Sequence, residues 1–229
     1  MKKIPSLFLL IGLGLGSAAV AMPVVTVTSD EAELSSKISL PLVGGGHLQQ
    51  LYGYKGPSIP VGPFFELEPL LSFGEDTAGD DHALWATSRF DLATSAGFGI
   101  EVWSQAEQGF DVFLGADGLA WDSLVTPTAQ ASSTLRWRFN VSQQVTVSVQ
   151  VIVKGTAGYA AARLVDKTTG DILVQYATSN VETTNFDNLV LQAGHEYHFA
   201  AVTREAALDD DDESAVYLFF NEAVEITAP

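Results

Sequence analysis

Cysteine is absent from this chain, and several kinds of chemistry are absent with it. There can be no disulfide staple, no thiol nucleophile, no thiolate metal ligand and no lipid-modified N-terminal cysteine of a lipoprotein. Stability must come from a buried core. Positive charge is scarce as well. Eleven Lys and Arg stand against 28 Asp and Glu, for a net charge of −17 at pH 7. Nucleic acid and anionic membranes both require a basic surface, so the composition argues against either as partner. Four His are present, and neither a Gly-x-Ser-x-Gly elbow nor a repeat of fixed period occurs. Long amphipathic helices are missing too, and only one long apolar run is found.

That run lies at the N-terminus. Lys2 and Lys3 form a positive start, Leu7 to Leu15 is apolar apart from Gly12 and Gly14, and Ala19-Val20-Ala21 fits the small-x-small rule for signal peptidase. The apolar core is shorter than the roughly 18 to 20 residues that span a bilayer comfortably. Residues 1–21 are therefore expected to be a cleaved secretory signal, and the mature chain to be secreted or periplasmic with no membrane anchor. Tyr217 to Glu222, near the C-terminus, is interrupted by acids and too short to span. Cleavage removes two lysines and no acid, which leaves nine basic residues against 28 acidic ones.

Period-2 patterning is clear in the second half. Leu135, Trp137 and Phe139 alternate with Arg136 and Arg138, and Trp137 is expected in the core. Val145, Val147, Val149, Val151 and Val153 alternate with Thr146, Ser148 and Gln150. Such alternation is what a strand with one buried face needs. Gly155 and Gly158 mark a turn. Ala160 to Asp166 and Ile172 to Tyr176 read as a hairpin about the turn Asp166 to Asp171. Leu189 to Leu191, an Ala193-Gly194 turn, Glu196 to Thr203, and a last strand from Ser214 to Ile226 follow.

The first half is less regular. Val24 to Thr28 is a short strand candidate, and Asp30 to Ser36 could form one or two helical turns. Leu40 to Pro69 is rich in Gly and Pro and reads as extended connection with short edge strands. His82 to Leu92, Gly97 to Ser104 and Phe110 to Leu114 look like strands. The pattern predicts an all-β fold, an antiparallel two-sheet β-sandwich of jelly-roll or immunoglobulin-like kind with little helix. One sandwich over residues 22–229 and a smaller N-terminal unit ending near residues 116–131 are both compatible with it.

Leu135-Arg-Trp-Arg-Phe139, the valine strand, Leu164 to Leu173 and Leu189-Val-Leu-Gln-Ala-Gly-His-Glu-Tyr197 follow one another in an order that resembles the β-sandwich ectodomains of PEP-CTERM-sorted exported bacterial proteins. More loosely, it resembles pre-peptidase C-terminal domains. The resemblance covers about Ala129 to Pro229. It implies an envelope or extracellular location and no shared catalytic residues. The Pro-Glu-Pro motif, terminal hydrophobic helix and basic tail of the sorted group are missing, so sorting does not carry over.

Candidate sites are few. His195-Glu196-Tyr197-His198 holds two His three residues apart on a strand, which puts them on opposite faces and prevents them from sharing a metal. His198 could pair with Glu196. Calcium takes six to eight oxygens, and the acid-rich turns containing Asp76, Asp80 and Asp81, and then Asp209 and Asp211, are candidate ligands for it. Trp103 is expected on the face opposite Phe98, Ile100 and Val102, where it could stack on a sugar ring. Tyr52 and Tyr54 in the Gly-rich segment are similar candidates. With no catalytic constellation in view, the reading is a non-catalytic exported protein with an interaction role, binding polysaccharide or a surface protein. The alternative is a secreted polysaccharide-acting enzyme with paired carboxylates, whose separation only a three-dimensional structure can reveal.

Overall fold

The computed structural model describes residues 21–41, 47–57, 64–67, 70–75, 81–93, 98–109, 128–206 and 212–227. Among these, the strands in chain order are β1 (Val24–Pro41), β2 (His47–Gly56), β3 (Phe64–Leu67), β4 (Leu70–Glu75), β5 (Asp81–Ala93), β6 (Phe98–Gly109) and β7 (Thr128–Val141). There follow β8 (Val145–Lys154), β9 (Tyr159–Asp166), β10 (Ile172–Thr178), β11 (Glu182–Leu191), β12 (Glu196–Ala206), β13 (Asp212–Phe220) and β14 (Glu225–Thr227). No helix occurs among the described residues. The first sheet runs β10-β9-β12-β7-β1-β14, with β2 also on β1; the second runs β11-β8-β13-β6-β5-β3, with β4 also on β5. Pairing is antiparallel except between β1 and β14. The two sheets pack face to face as a β-sandwich.

The alternating residues meet between the sheets. Val145, Val147, Val149, Val151 and Val153 of β8 are all at most 1% exposed, as are Leu135, Trp137 and Phe139 of β7 and Tyr197 and Phe199 of β12. Each large apolar side chain so buried is worth roughly 1.5–3 kcal/mol relative to exposure. Strands from both halves of the chain share both sheets: β1 pairs with β7, and β6 with β13.

Two expectations are corrected. Asp30 to Ser36 is not helical but lies inside the 18-residue strand β1. A register shift between Val27 and Ser29 explains why this was hidden. Before the shift Val25 and Val27 are buried; after it the buried positions are Ala32, Leu34 and Ser36. One extra residue reverses the parity of the inward face, so no continuous period-2 stripe is visible. The final strand is also two strands. β13 ends at Phe220 in the second sheet, and β14 joins the first sheet beside β1. The bend at Asn221 and Glu222 lets the chain cross between layers. A similar shift, between Phe186 and Leu189 with Asn188 at φ 58°, lies in β11, whose first half carried no strand pattern. The Phe110 to Leu114 expectation lies outside the described residues.

Candidate functional site

The turn between β9 and β10 is tied to the turn before β12. His195 precedes β12 and its Nδ1 lies 2.7 Å from Asp166 Oδ2. Asp166 Oδ1 accepts hydrogen bonds from the amides of Thr168 (2.8 Å) and Thr169 (3.1 Å). The Glu196 amide donates to the Thr168 hydroxyl at 2.9 Å. Burial would push the Asp166 carboxyl up, but the bond from His195 and those from the two threonine amides outweigh it and hold its pKa below the ordinary value. His195 is thus a clamp between two turns. His198 lies on β12 and forms no ion pair with Glu196. Asp166-Lys-Thr-Thr-Gly-Asp171, in which an Asp side chain caps the amides after it, is the sequence signal for the turn itself, while nothing in the chain links it to His195.

An open cleft of about 600 Å³ lies where β12 and β7 end beside the β8–β9 turn. Its lining includes Lys37, Gln130, Ser132, Tyr159, Arg204 and Glu205. Tyr159 and Arg204 are register partners on β9 and β12, and the Arg204 guanidinium sits over the Tyr159 ring, 5.7 Å from its centre. Behind them Glu205 is 2% exposed and accepts a hydrogen bond from the Ser214 hydroxyl of the opposite sheet. Ser36, Ser133 and Thr203 are also fully buried, so the interior turns polar at this end. Gly158 closes over the pair. A Cβ there would lie 2.7 Å from Val153 Cγ1 and 2.8 Å from Ser214 Oγ, and closer still to Glu205 Oε1.

The aromatic candidates from the sequence do not come together. Tyr54 stands opposite Leu34 on β2, packs half-buried against the core, and donates its hydroxyl proton to the Pro57 carbonyl at 2.6 Å. Tyr52 is registered with Ser36 on the same strand. Trp103 belongs to the other sheet, registered with Ala215 and Arg89. The side chains of Tyr52 and Trp103 lie outside the description. Asp76, Asp80, Asp209 and Asp211 also lie outside the described residues, and Asp81 opens β5 opposite Glu75. Among the described residues no group of three or more His, Asp or Glu is arranged to hold a metal ion.

No family model matches the chain, and no curated protein matches it. Two solved structures show slight similarity. One is the infectious bursal disease virus VP2 subviral particle: 11% identity, TM-score 0.22, covering 87% of this chain and 72% of that one. The other is the infectious bursal disease virus Gx strain: 10% identity, TM-score 0.20, covering 85% of this chain and 58% of that one.

The described lining offers the amide of Gln130, the hydroxyl of Ser132, the ammonium of Lys37 and the Arg204–Tyr159 pair, all groups that can hydrogen-bond to a polar ligand. Sequence reading missed it because its parts come from β1, β7, β9, β12 and a turn.

Proposed function

We propose that this protein is an exported, non-catalytic β-sandwich module with an envelope or extracellular interaction role, holding a polysaccharide in the cleft beside Tyr159 and Arg204. One observation carries the reading: among the described lining residues Glu205 is the one carboxylate, and it is buried against Ser214. Glycoside cleavage by the usual route needs two carboxylates about 5–10 Å apart on either side of the bond. Polar donors around a single buried acid, as the described lining has them, suit holding a glycan more than cleaving it. Export rests on the N-terminal pattern of residues 1–21 and accords with the resemblance to exported sandwich ectodomains. Trp103, Tyr52 and Tyr54 stay within this reading as additional aromatic platforms.

The test is a glycan array followed by calorimetry on the mature chain, with chelator and with millimolar calcium. At least one polysaccharide should bind without being depolymerised, and Arg204→Ala or Tyr159→Ala should weaken it about tenfold, or ~1.4 kcal/mol. Product release from the polymer, or no binding anywhere on the array, would sink the proposal. A calcium requirement would implicate Asp76, Asp80, Asp81, Asp209 and Asp211.

A further inference from the structure

Six of the eleven Lys and Arg of this acidic chain share one surface. Lys37, Lys55, Arg136, Arg138, Arg163 and Arg204 all lie on the solvent face of the first sheet, on β1, β2, β7, β9 and β12. Two adjacent rungs hold the densest group. In one, Arg138 of β7 faces His198 of β12, which faces Val165 of β9; in the next, Arg136 faces Ala200, which faces Arg163. Strands lie about 4.8 Å apart. Two guanidinium groups therefore flank the methyl floor of Ala200, with a third and an imidazole one rung away. A depression of about 340 Å³ opens beside them over β12, β9 and β10, and its lining includes Ala161, Arg163, Gln175, Ala177, Ala200 and Val202.

We propose that Arg136, Arg138, Arg163 and His198 form an anion-binding site for the carboxylate or sulfate groups of an acidic polysaccharide, whose sugar rings lie in the adjoining trough. The proposal rests on the reading of the protein as a polysaccharide-binding module and names its ligand class.

Charge pairing supports it. Lys55 lies 3.4 Å from Glu31 and 3.7 Å from Glu33, and Arg136 lies 3.3 Å from Glu31. Among the described residues Arg138, Arg163 and the nearby Lys167 have no ion pair, although acids outnumber bases by 28 to 11. Arg136 is partly balanced by Glu31, but the charges of Arg138, Arg163 and Lys167 beside it, unmatched among the described residues, call for a counter-charge from outside. The field at the centre is felt by His198: burial first, then the charges of Arg138, Lys167, Arg163 and Arg136, hold its pKa below the ordinary value. Glu196, on the same face two residues away, forms no ion pair with it.

Charge density favours a polysaccharide over nucleic acid. Duplex DNA presents one charge per about 1.7 Å, and Glu31, Glu33 and the chain's net −17 would repel it beyond this patch. An acidic polysaccharide spaces its charges by whole sugar units. It also brings hydroxyls that Gln175 can bind and ring faces that fit over alanines.

The experiment compares the mature protein with Arg138→Ala/Arg163→Ala and Arg138→Lys/Arg163→Lys. Each is titrated with polygalacturonate, chondroitin sulfate, neutral dextran and a 20-base-pair DNA at 50 and 200 mM NaCl. Melting curves and His198 ring shifts are followed alongside. The wild type should bind at least one acidic polymer, more tightly at low salt, and the His198 pKa should rise when it does. The alanine pair should lose at least tenfold in affinity with an unchanged melting curve, and the lysine pair should retain part of it. Unchanged affinity in the alanine pair, or DNA bound as tightly as the acidic polymers, overturns the inference. Neutral polymer bound alone overturns it while leaving the cleft reading intact, and no polysaccharide bound at all overturns both.

Discussion

His195 Nδ1 lies 2.7 Å from Asp166 Oδ2, joining two turns that are 29 residues apart in the chain. Asp166 is 6% exposed, and its carboxyl also caps the amides of Thr168 and Thr169. Several donors thus depend on one buried acceptor, and it can serve them fully only as a carboxylate.

Asp166→Ala should therefore cost about 1–3 kcal/mol, the range expected when buried donors lose their acceptor. Urea denaturation at pH 7 measures it. A second consequence concerns pH. The pKa of Asp166 is held below its ordinary value in the fold, so its stabilising contribution is complete above about pH 4 and fades as pH falls through the folded-state pKa. The alanine variant should show a shallower loss of stability on acidification than the wild type. Parallel curves for the two proteins would contradict this.

Gly158 occupies a place that admits no side chain. A Cβ there would press on Glu205 Oε1, Val153 Cγ1 and Ser214 Oγ at once. Gly158→Ala should destabilise by about 1–3 kcal/mol. Adding Ser214→Ala should cost less in that background than alone, because one obstructing atom is gone. A double-mutant cycle in urea reads the difference, and strict additivity would show that the clash is relieved elsewhere.

Trp137 is 1% exposed, and its indole Nε1 donates to Asp30 Oδ1 at 3.1 Å. Trp137→Ala should cost about 3–5 kcal/mol. Trp137→Phe should cost less, since much of the packing volume is kept and chiefly the hydrogen bond is lost. Chemical denaturation of both variants checks the order.

His198 should titrate below the ordinary histidine value of about 6.5 when the protein is free, because burial and the cations Arg138, Lys167, Arg163 and Arg136 disfavour its protonated form. Its folded pKa is the lower one, so the unfolded chain takes up more protons as pH falls, and this residue costs stability on acidification. His198→Gln should be more stable relative to wild type at pH 5 than at pH 7.5. Histidine NMR titration and melting at the two pH values test it, and a His198 pKa above 7 would refute it.

Legibility followed the stiffness of the local pattern. The Val145 to Val153 stripe and the Leu135-Trp137-Phe139 face were readable because a strand with one buried face must alternate, and both stripes are buried. β1 was hidden at its bulge, where parity changes. The His195 clamp was hidden because its acceptor lies on another turn. In the cleft, Lys37, Gln130, Tyr159 and Arg204 come from four strands, and no spacing along the chain relates them.

Composition and period-2 alternation alone determined that this chain is an all-β sandwich with a core of valines and aromatics and without disulfides, because burial of one face per strand is a property of neighbours in sequence. Where the cations collect was decided only by tertiary structure. Arg136 and Arg138 alternate visibly, yet nothing local says that Arg163 and His198 will stand beside them. Strand order does that: it sets β9, β12 and β7 side by side, and charges remote in the chain become a single field across one sheet.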